Sequence, residues 1–335
     1  MELSVLDDLD TKERVFSSNV VVIGPLRFLE PYEFVFKCRS KGRWYNRTLK
    51  DVFLSEFQYM DENMIDDRVK SGKLLVNGKK VGIDYVIQEH DFIENTSIRK
   101  ESPIFNVPVK RIGETDDFIA FFKPSSMPVH ATGGYFYNSM VKQVEKRYFP
   151  VHRLDKVTSG IVIMAKNKEA AHRFRLQMIE EKIHKTYVAR VKGVFPSEEV
   201  IVDKSIQDSS EYRAKRETGE DGKESKTIFK LIKTNGNESI VECHPLTGRT
   251  HQIRVHLAHI GFPISNDSTY NGNPISLNHD IVSSINIALE RGLIANDVEE
   301  QFKTNQYAFE IWLCSIKYEC DEFCFEVDLP EWTKI

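Results

Sequence analysis

Between His152 and Gly160 the chain sets one carboxylate, Asp155, in a short polar turn that runs directly into the apolar stretch Ile161-Val162-Ile163-Met164-Ala165. Such a run reads as a buried strand. It ties the turn to the end of a core element, and a strand end is a rigid mount. Loops beside rigid elements are where proteins usually place reactive groups. The fold must therefore hold an acidic side chain at the edge of its own core.

At 335 residues the chain is long enough for a full core and suggests two domains. No apolar run approaches the roughly 20 residues that span a bilayer. The acidic N-terminus (Glu2, Asp7, Asp8, Asp10) disfavours a mitochondrial transit peptide, and no secretory signal is evident. Five cysteines, few and odd in number, suit reduced thiols, so a cytoplasmic or nuclear setting is expected. The net charge of −4 argues against nonspecific coating of nucleic acid, but residues 140–192 hold 13 Lys/Arg against 5 Asp/Glu. A local basic patch matters more for phosphate binding than the total does; the bland reading is a solvated surface.

The first 45 residues read as an irregular arm. Leu49, Val52, Phe53 and Phe57 recur at helical spacing, and Met64, Ile65 and Val69 suit a second short helix. Leu74-Leu75-Val76, Asn77-Gly78 and Lys79-Lys80-Val81 then predict a hairpin. Residues 101–108 read as a linker because of Pro103 and Pro108. A second domain follows over 109–335. It should contain strands near 117–123, 161–165, 186–194, 227–232, 239–243, 309–316 and 323–327. Helices are predicted over 138–148, after an Asn167 N-cap, and over 249–260. Strands and helices mix without a βαβ rhythm, so the expected class is α+β with a mixed, largely antiparallel sheet.

Three ordered motifs carry a resemblance. His152-Arg153-Leu154-Asp155 with Thr158-Ser159-Gly160, Lys185-Thr186-Tyr187-Val188-Ala189, and Gly248-Arg249-Thr250-His251-Gln252-Ile253-Arg254 resemble, in order, the signatures of the RluA-type pseudouridine synthases. The likeness covers most of residues 110–335. The run from Arg68 to Lys79, after two helices, is similar to the S4 RNA-binding domain that precedes many catalytic domains of that family. This implies an S4-like unit over 46–100. Residues 30–44 look like the eukaryotic branch, which includes enzymes acting on tRNA.

The resemblance implies that Asp155 isomerises uridine in RNA without a cofactor, with tRNA as the expected partner. The reaction breaks the C1′–N1 bond, turns the base and rejoins it through C5. A carboxylate can attack C6 of the base, or trap the oxocarbenium-like sugar at C1′. Both routes need Asp155 ionised, although desolvation under a bound base raises a carboxyl pKa. The family pattern implies Arg249 as the guanidinium paired with Asp155, and Tyr187 as the platform for the base. It implies Arg153 as the side chain that replaces the flipped nucleotide, with a phosphate contact as the alternative. Lys123 and His152 beside it, and Arg68, Lys73 and Lys79 in the first unit, are the other expected RNA contacts. Two features depart from the family pattern: the long segment 276–306, and Ile311-Trp312-Leu313 near the last strands.

A metal site is not expected. His251, His256 and His259 do not share one helix face, and Cys314, Cys320 and Cys324 lack C-x₂-C spacing. The competing readings are a noncatalytic RNA-binding or assembly factor on the same scaffold, and a hydrolase cleaving the N-glycosidic bond.

Overall fold

The computed structural model describes residues 19–57, 60–144, 148–210, 215–273, 277, 279–303 and 308–335. They form two compact units. One is Glu30–Lys100, and the other joins Glu101–Ile335 to the segment ending at Leu29.

In the smaller unit two helices, Leu49–Glu56 and Glu62–Ser71, accompany an antiparallel sheet ordered Tyr32–Arg39, Phe92–Arg99, Leu74–Val76. Each helix starts where a polar side chain takes up an orphan amide: Thr48 accepts from the Asp51 N–H and Asp61 from the Met64 N–H. Their apolar faces bury Leu49, Val52, Phe53, Ile65 and Val69 with Leu74 and Ile93. The unit begins near residue 30, not 46. Its first strand pairs with Phe92–Arg99 along eight residues, where the sequence alone suggests part of an arm. As an edge strand with most residues partly exposed, it carries no clean apolar alternation. The Asn77-Gly78 turn forms, with φ of 53° and 72°. Only Val76 and Lys79 bridge across it, however, and Leu74–Val76 pairs with Phe92–Arg99 instead.

The larger unit is built on one sheet with the order Val200–Asp203, Lys226–Thr234, Glu238–Pro245, His184–Lys192, Leu313–Cys320, Ser159–Ala165, Phe118–Lys123, Lys110–Glu114. Phe323–Glu326 hairpins onto Leu313–Cys320 and Phe149–Pro150 pairs with Ser159–Ala165. Every recorded pairing in this sheet is antiparallel except one: Ser159–Ala165 runs parallel to Leu313–Cys320. The α+β reading with a mixed, largely antiparallel sheet holds. The Asn167 cap also forms, its side chain accepting from the Ala170 N–H at 2.8 Å ahead of helix Lys168–Ile179.

Three sequence expectations fail here. Val20–Ile23 and Leu26–Leu29 are not an irregular arm; they form a hairpin that pairs with Ile104–Phe105. Residues 101–108 are therefore not a free linker. Glu101 is buried, and its carboxylate accepts the N–H groups of Phe136, Tyr137 and Asn138 at 2.8–2.9 Å. That clamp, with the Met140 and Val141 amides given to Pro128 and Val129 carbonyls, leaves only a 3₁₀ turn at Met140–Lys142 among the described residues of the helix predicted over 138–148, of which 145–147 lie outside that description. The long segment departing from the family pattern contributes helices His279–Glu290 and Asn296–Lys303. Ile281, Ile285, Leu293, Ile294 and Val298 close over Leu26 and Phe28 to form a satellite core.

Candidate active site

The site lies around the one parallel strand pair. Parallel pairing brings Gly160 against Ser315, so closely that a Cβ on Gly160 would stand 2.3 Å from the Ser315 carbonyl oxygen. Gly160 also has φ +119°, a region an L side chain rarely enters. The Ser-Gly that ends the motif is thus a backbone requirement, and it sets where the turn before it can go.

That turn is held from below. Lys123, fully buried, donates to the carbonyls of Pro124 (2.9 Å), Met127 (2.7 Å) and Lys156 (3.3 Å). His152 accepts the Ile163 N–H at Nε2 (2.9 Å), and its ring stacks between Tyr318 and Phe174. Leu154 and Val157 sink into the main core. The sequence suggests Lys123 and His152 as RNA contacts, and the structure corrects both. Their polar atoms are spent inside, on backbone groups and, for His152 Nδ1, the Tyr318 hydroxyl, and burial pushes the His152 pKa down to about 3, so the ring is neutral. Between them they leave Arg153 exposed and Asp155 at the edge, its side chain 18% accessible.

The guanidinium that meets Asp155 is Arg254, not Arg249. Arg254 Nη1 donates to Asp155 Oδ2 at 3.2 Å, while its Nε and Nη2 grip both oxygens of Asp267 at 2.6 and 2.9 Å. Arg249 is exposed and gives its Nε to the Glu224 carbonyl oxygen at 3.0 Å. The reason is local. The helix runs Gln252–His259, starting three residues later than predicted, because His251 adopts the left-handed conformation at φ 59°. Gln252 then fixes the preceding loop, its Oε1 accepting from the Thr247 hydroxyl and the Arg249 N–H. Lys185 ties the same loop to the sheet by donating to the Thr247 carbonyl oxygen. Arg249 is left on the solvent side of that kink and Arg254 inside it. Gln252 through Leu257 are all buried, so this helix is interior on every side.

His251 was also missed. Its Nε2 is 3.6 Å from Asp155 Oδ2 and its Nδ1 is 2.8 Å from the Tyr270 hydroxyl. That phenol accepts the Arg216 N–H, so its own proton is available to His251 Nδ1. The ring then turns an Nε2–H toward the carboxylate. Burial lowers the His251 pKa to about 4, so at neutral pH it is an uncharged donor. For Asp155, burial pushes the pKa up, but His251 and Arg254 outweigh it and hold the carboxyl below its ordinary range. At neutral pH the permanent cation of the two is Arg254, whose own burial is overcome by Asp267 and Asp155.

Tyr187 stands in the same core, 8% exposed and within the field of Asp155. A β-bulge between Thr186 and Tyr187 shifts its partner from the Lys317 side to Ser315 and turns the side chain at this point. Burial raises its pKa to about 12, so it keeps its proton. Asp155, Tyr187, His251 and Arg254 thus combine an ionised carboxylate, a neutral phenol and two donors. Of the trio expected from the sequence, Asp155 and Tyr187 lie near one another, and Arg254 rather than Arg249 meets the carboxylate.

In the smaller unit Arg68 is turned inward as well. It donates to Asn95 Oδ1, the Thr96 carbonyl oxygen and Ser97 Oγ, whereas Lys73 and Lys79 stand exposed. Among the described residues no group of three His, Cys, Asp or Glu side chains is placed to hold a metal ion. No helix there is long and apolar enough to cross a membrane.

Comparison with known proteins gives this geometry a family. A model described as RNA pseudouridylate synthase matches residues 117–259, a span that contains all four side chains. "RNA pseudouridine synthase 7" of Arabidopsis thaliana is 33% identical over 93% of this chain and 87% of its own length. This chain belongs to the RNA pseudouridine synthase family. A Saccharomyces cerevisiae family member, "tRNA pseudouridine(32) synthase, mitochondrial", is 38% identical over 76% of the chain, and the human "Pseudouridylate synthase RPUSD2" is 36% identical over 83%. The chain spans 57% and 53% of those two relatives, little more than half of each.

Proposed function

We propose that this chain converts uridine to pseudouridine in RNA, tRNA being the favoured substrate, with Asp155 as the catalytic carboxylate. The observation that carries the reading is the Asp155–Arg254 contact at the mouth of a core strand. It keeps an otherwise desolvated carboxylate ionised where a base can be presented. Asp155 attacks either C6 of the base or C1′ of the ribose while the glycosidic bond opens. The base turns, C5 bonds to C1′, the bond to Asp155 breaks to return the carboxylate, and the proton lost from C5 is balanced by one gained at N1. His251 and Arg254 hold negative charge on the carboxylate when it is free and receive it back at the end. Exposed Arg153 at the rim is the candidate to fill the stack left by the extruded nucleotide, a step that costs a few kcal/mol.

The smaller unit, with two helices, a three-stranded sheet and exposed Lys73 and Lys79, supports an S4-like RNA-binding role. The names of two yeast relatives, tRNA pseudouridine(32) and tRNA pseudouridine(31) synthase, favour tRNA as substrate. All five cysteines are free thiols, in keeping with a cytoplasmic or nuclear setting.

The test is Asp155→Asn, nearly isosteric, assayed by mapping pseudouridine in RNA from cells lacking the wild-type gene. The variant should form none while binding RNA within about twofold of wild type. Continued modification by Asp155→Asn would refute the assignment.

A further inference from the structure

A row of polar groups runs inward from Tyr187 that the reaction as described does not use. The Tyr187 hydroxyl lies 2.8 Å from the Tyr318 hydroxyl, and Tyr318 Oη lies 3.4 Å from His152 Nδ1. Tyr318 is 2% exposed, and its ring stacks on His152 at 4.7 Å between centroids. Nothing in the three sequence motifs points to it; it comes from a later strand, Leu313–Cys320.

The protons in this row can be placed from its two ends. At the inner end, the Ile163 N–H donates to His152 Nε2, so that nitrogen carries a lone pair. A neutral imidazole then carries its proton on Nδ1. His152 is therefore a donor toward Tyr318 and cannot accept from it. At the outer end the Tyr318 hydroxyl, 2.8 Å away, and the Ser315 hydroxyl both favour the Tyr187 oxygen as acceptor, and the negative charge of Asp155 favours its hydrogen turned outward. The two ends agree on one direction. His152 donates to Tyr318, Tyr318 donates to Tyr187, and Tyr187 donates into the pocket.

We propose that Tyr318 is a positioning residue that, backed by His152, fixes the Tyr187 hydroxyl as a hydrogen-bond donor aimed at the uracil held over Asp155. The inference rests on the pocket being a pseudouridine synthase site. Its chemistry requires no transfer of the proton, only its direction. A phenol that already accepts one hydrogen bond is a stronger donor in the next, because such chains polarise one another. A carbonyl oxygen of the base is the kind of acceptor the row fits. Tyr187 without Tyr318 would have only the field of Asp155 to orient a freely rotating hydroxyl, and would hold its hydrogen toward the base less firmly.

Tyr318→Phe tests this, since it keeps the stacked ring and removes only the hydroxyl. The substrate is a transcript carrying the uridine that mapping has identified, and the readout is single-turnover pseudouridine formation. Loss of one directing hydrogen bond should lower kcat about tenfold and leave KM within about twofold. Tyr318→Phe should add nothing in a Tyr187→Phe background, because the hydroxyl it directs is gone. A structural role alone would instead lower Tm and disturb KM along with kcat, since loss of packing is not confined to the chemical step. His152→Gln is the second variant if Tyr318→Phe does not fold. The glutamine carbonyl can still take the Ile163 amide, but the donor at Nδ1 is lost, and the same kcat-only defect should follow. An active wild type with unchanged kcat in Tyr318→Phe, or additivity with Tyr187→Phe, would overturn the role of Tyr318 alone. A wild-type chain that forms no pseudouridine would overturn the reading of the pocket, and this role with it.

Discussion

Replacing Arg254 with Met should separate the two arginines of the Gly-Arg-Thr-His-Gln-Ile-Arg block more sharply than any other change. Arg254 is 5% exposed and serves two carboxylates at once, Asp267 (1% exposed) through two bonds and Asp155 through a third. Removing one partner of a buried ion pair costs about 3–5 kcal/mol, because the other charge is left uncompensated. For Asp155, a unit charge at 3.2 Å is worth ~5 kcal/mol at an effective dielectric of about 20. With 18% of the Asp155 side chain open to solvent, about half of that is a fair expectation, equivalent to roughly 2 pH units. The sign follows from the depressed carboxyl. In the wild type the contribution of Asp155 is fully present above the ordinary carboxylate pKa and is lost only as pH falls through its lower folded value. Without Arg254, burial is opposed only by His251 and Arg153, and the carboxyl titrates higher than in the wild type. The acid limb of the pH–rate profile should therefore move up by roughly 2 units. The stability gap to wild type should be widest near neutrality and narrow toward acid. Urea unfolding across pH and single-turnover rates between about pH 4 and 9 read both quantities, with Arg254→Lys as the milder variant. Arg249→Gln, changing an exposed side chain bound to one carbonyl, should stay within ~0.5 kcal/mol and leave the acid limb in place. If Arg249→Gln moves that limb and Arg254→Met does not, the pairing of Asp155 with Arg254 is wrong.

Two further substitutions probe the mount. Lys123→Met keeps the length of the side chain but strips three carbonyls of their buried donor, and should cost about 3 kcal/mol in urea unfolding; a loss under about 1 kcal/mol would show those carbonyls find other partners. Gly160→Ala puts a methyl against the Ser315 backbone at a positive φ and should cost at least about 3 kcal/mol, with pseudouridine formation falling as the parallel strands part. A Gly160→Ala variant as stable as wild type would mean that the strands separate there without penalty.

What the sequence made legible was the part governed by short range. The run Ile161–Ala165, the Asn167 cap and the apolar stripes at 49–57 and 64–69 became the elements they predict, because period and capping decide them locally. The failures over 32–39 and 138–148 share one cause: a distant group settled the backbone. Glu101 takes the amides of 136–138 and prevents a helix that the local pattern favours. The strand Tyr32–Arg39 exists because Phe92–Arg99 completes it. The motifs singled out Asp155 and Tyr187, and the fold brings the two near one another. Arg254 was in view, in the same block, yet the choice between two arginines five residues apart depended on where the helix begins. The left-handed His251 settles that, and no propensity marks it. Arg68, Lys123 and His152 read as cations facing RNA because a sequence shows charge but not direction. In the fold each is spent on groups of its own unit.

The same kink explains why the site needs this helix rather than a simple arginine in a loop. A straight helix starting at Arg249 would carry its first guanidinium at an N-terminus, where the dipole disfavours a cation, and would leave it mobile in solvent. Beginning instead at Gln252 puts Arg254 in the first turn, where the same dipole works against it. Asp267 supplies the compensation with two bonds on one carboxylate. A guanidinium held by Asp267 cannot follow Asp155 if that carboxylate moves or bonds to substrate. It is a fixed post, as an electrostatic site should be when charge leaves and returns to the same atom during a turnover. The turn bearing Asp155 is fixed as firmly from the other side, by Lys123 and His152. The two halves come from segments about 100 residues apart, and they meet at Asp155, which Arg254 reaches at 3.2 Å and His251 at 3.6 Å. A change in either anchor, Asp267 or Lys123, should therefore act on the same quantity, the acid limb set by Asp155, although neither residue needs to touch RNA.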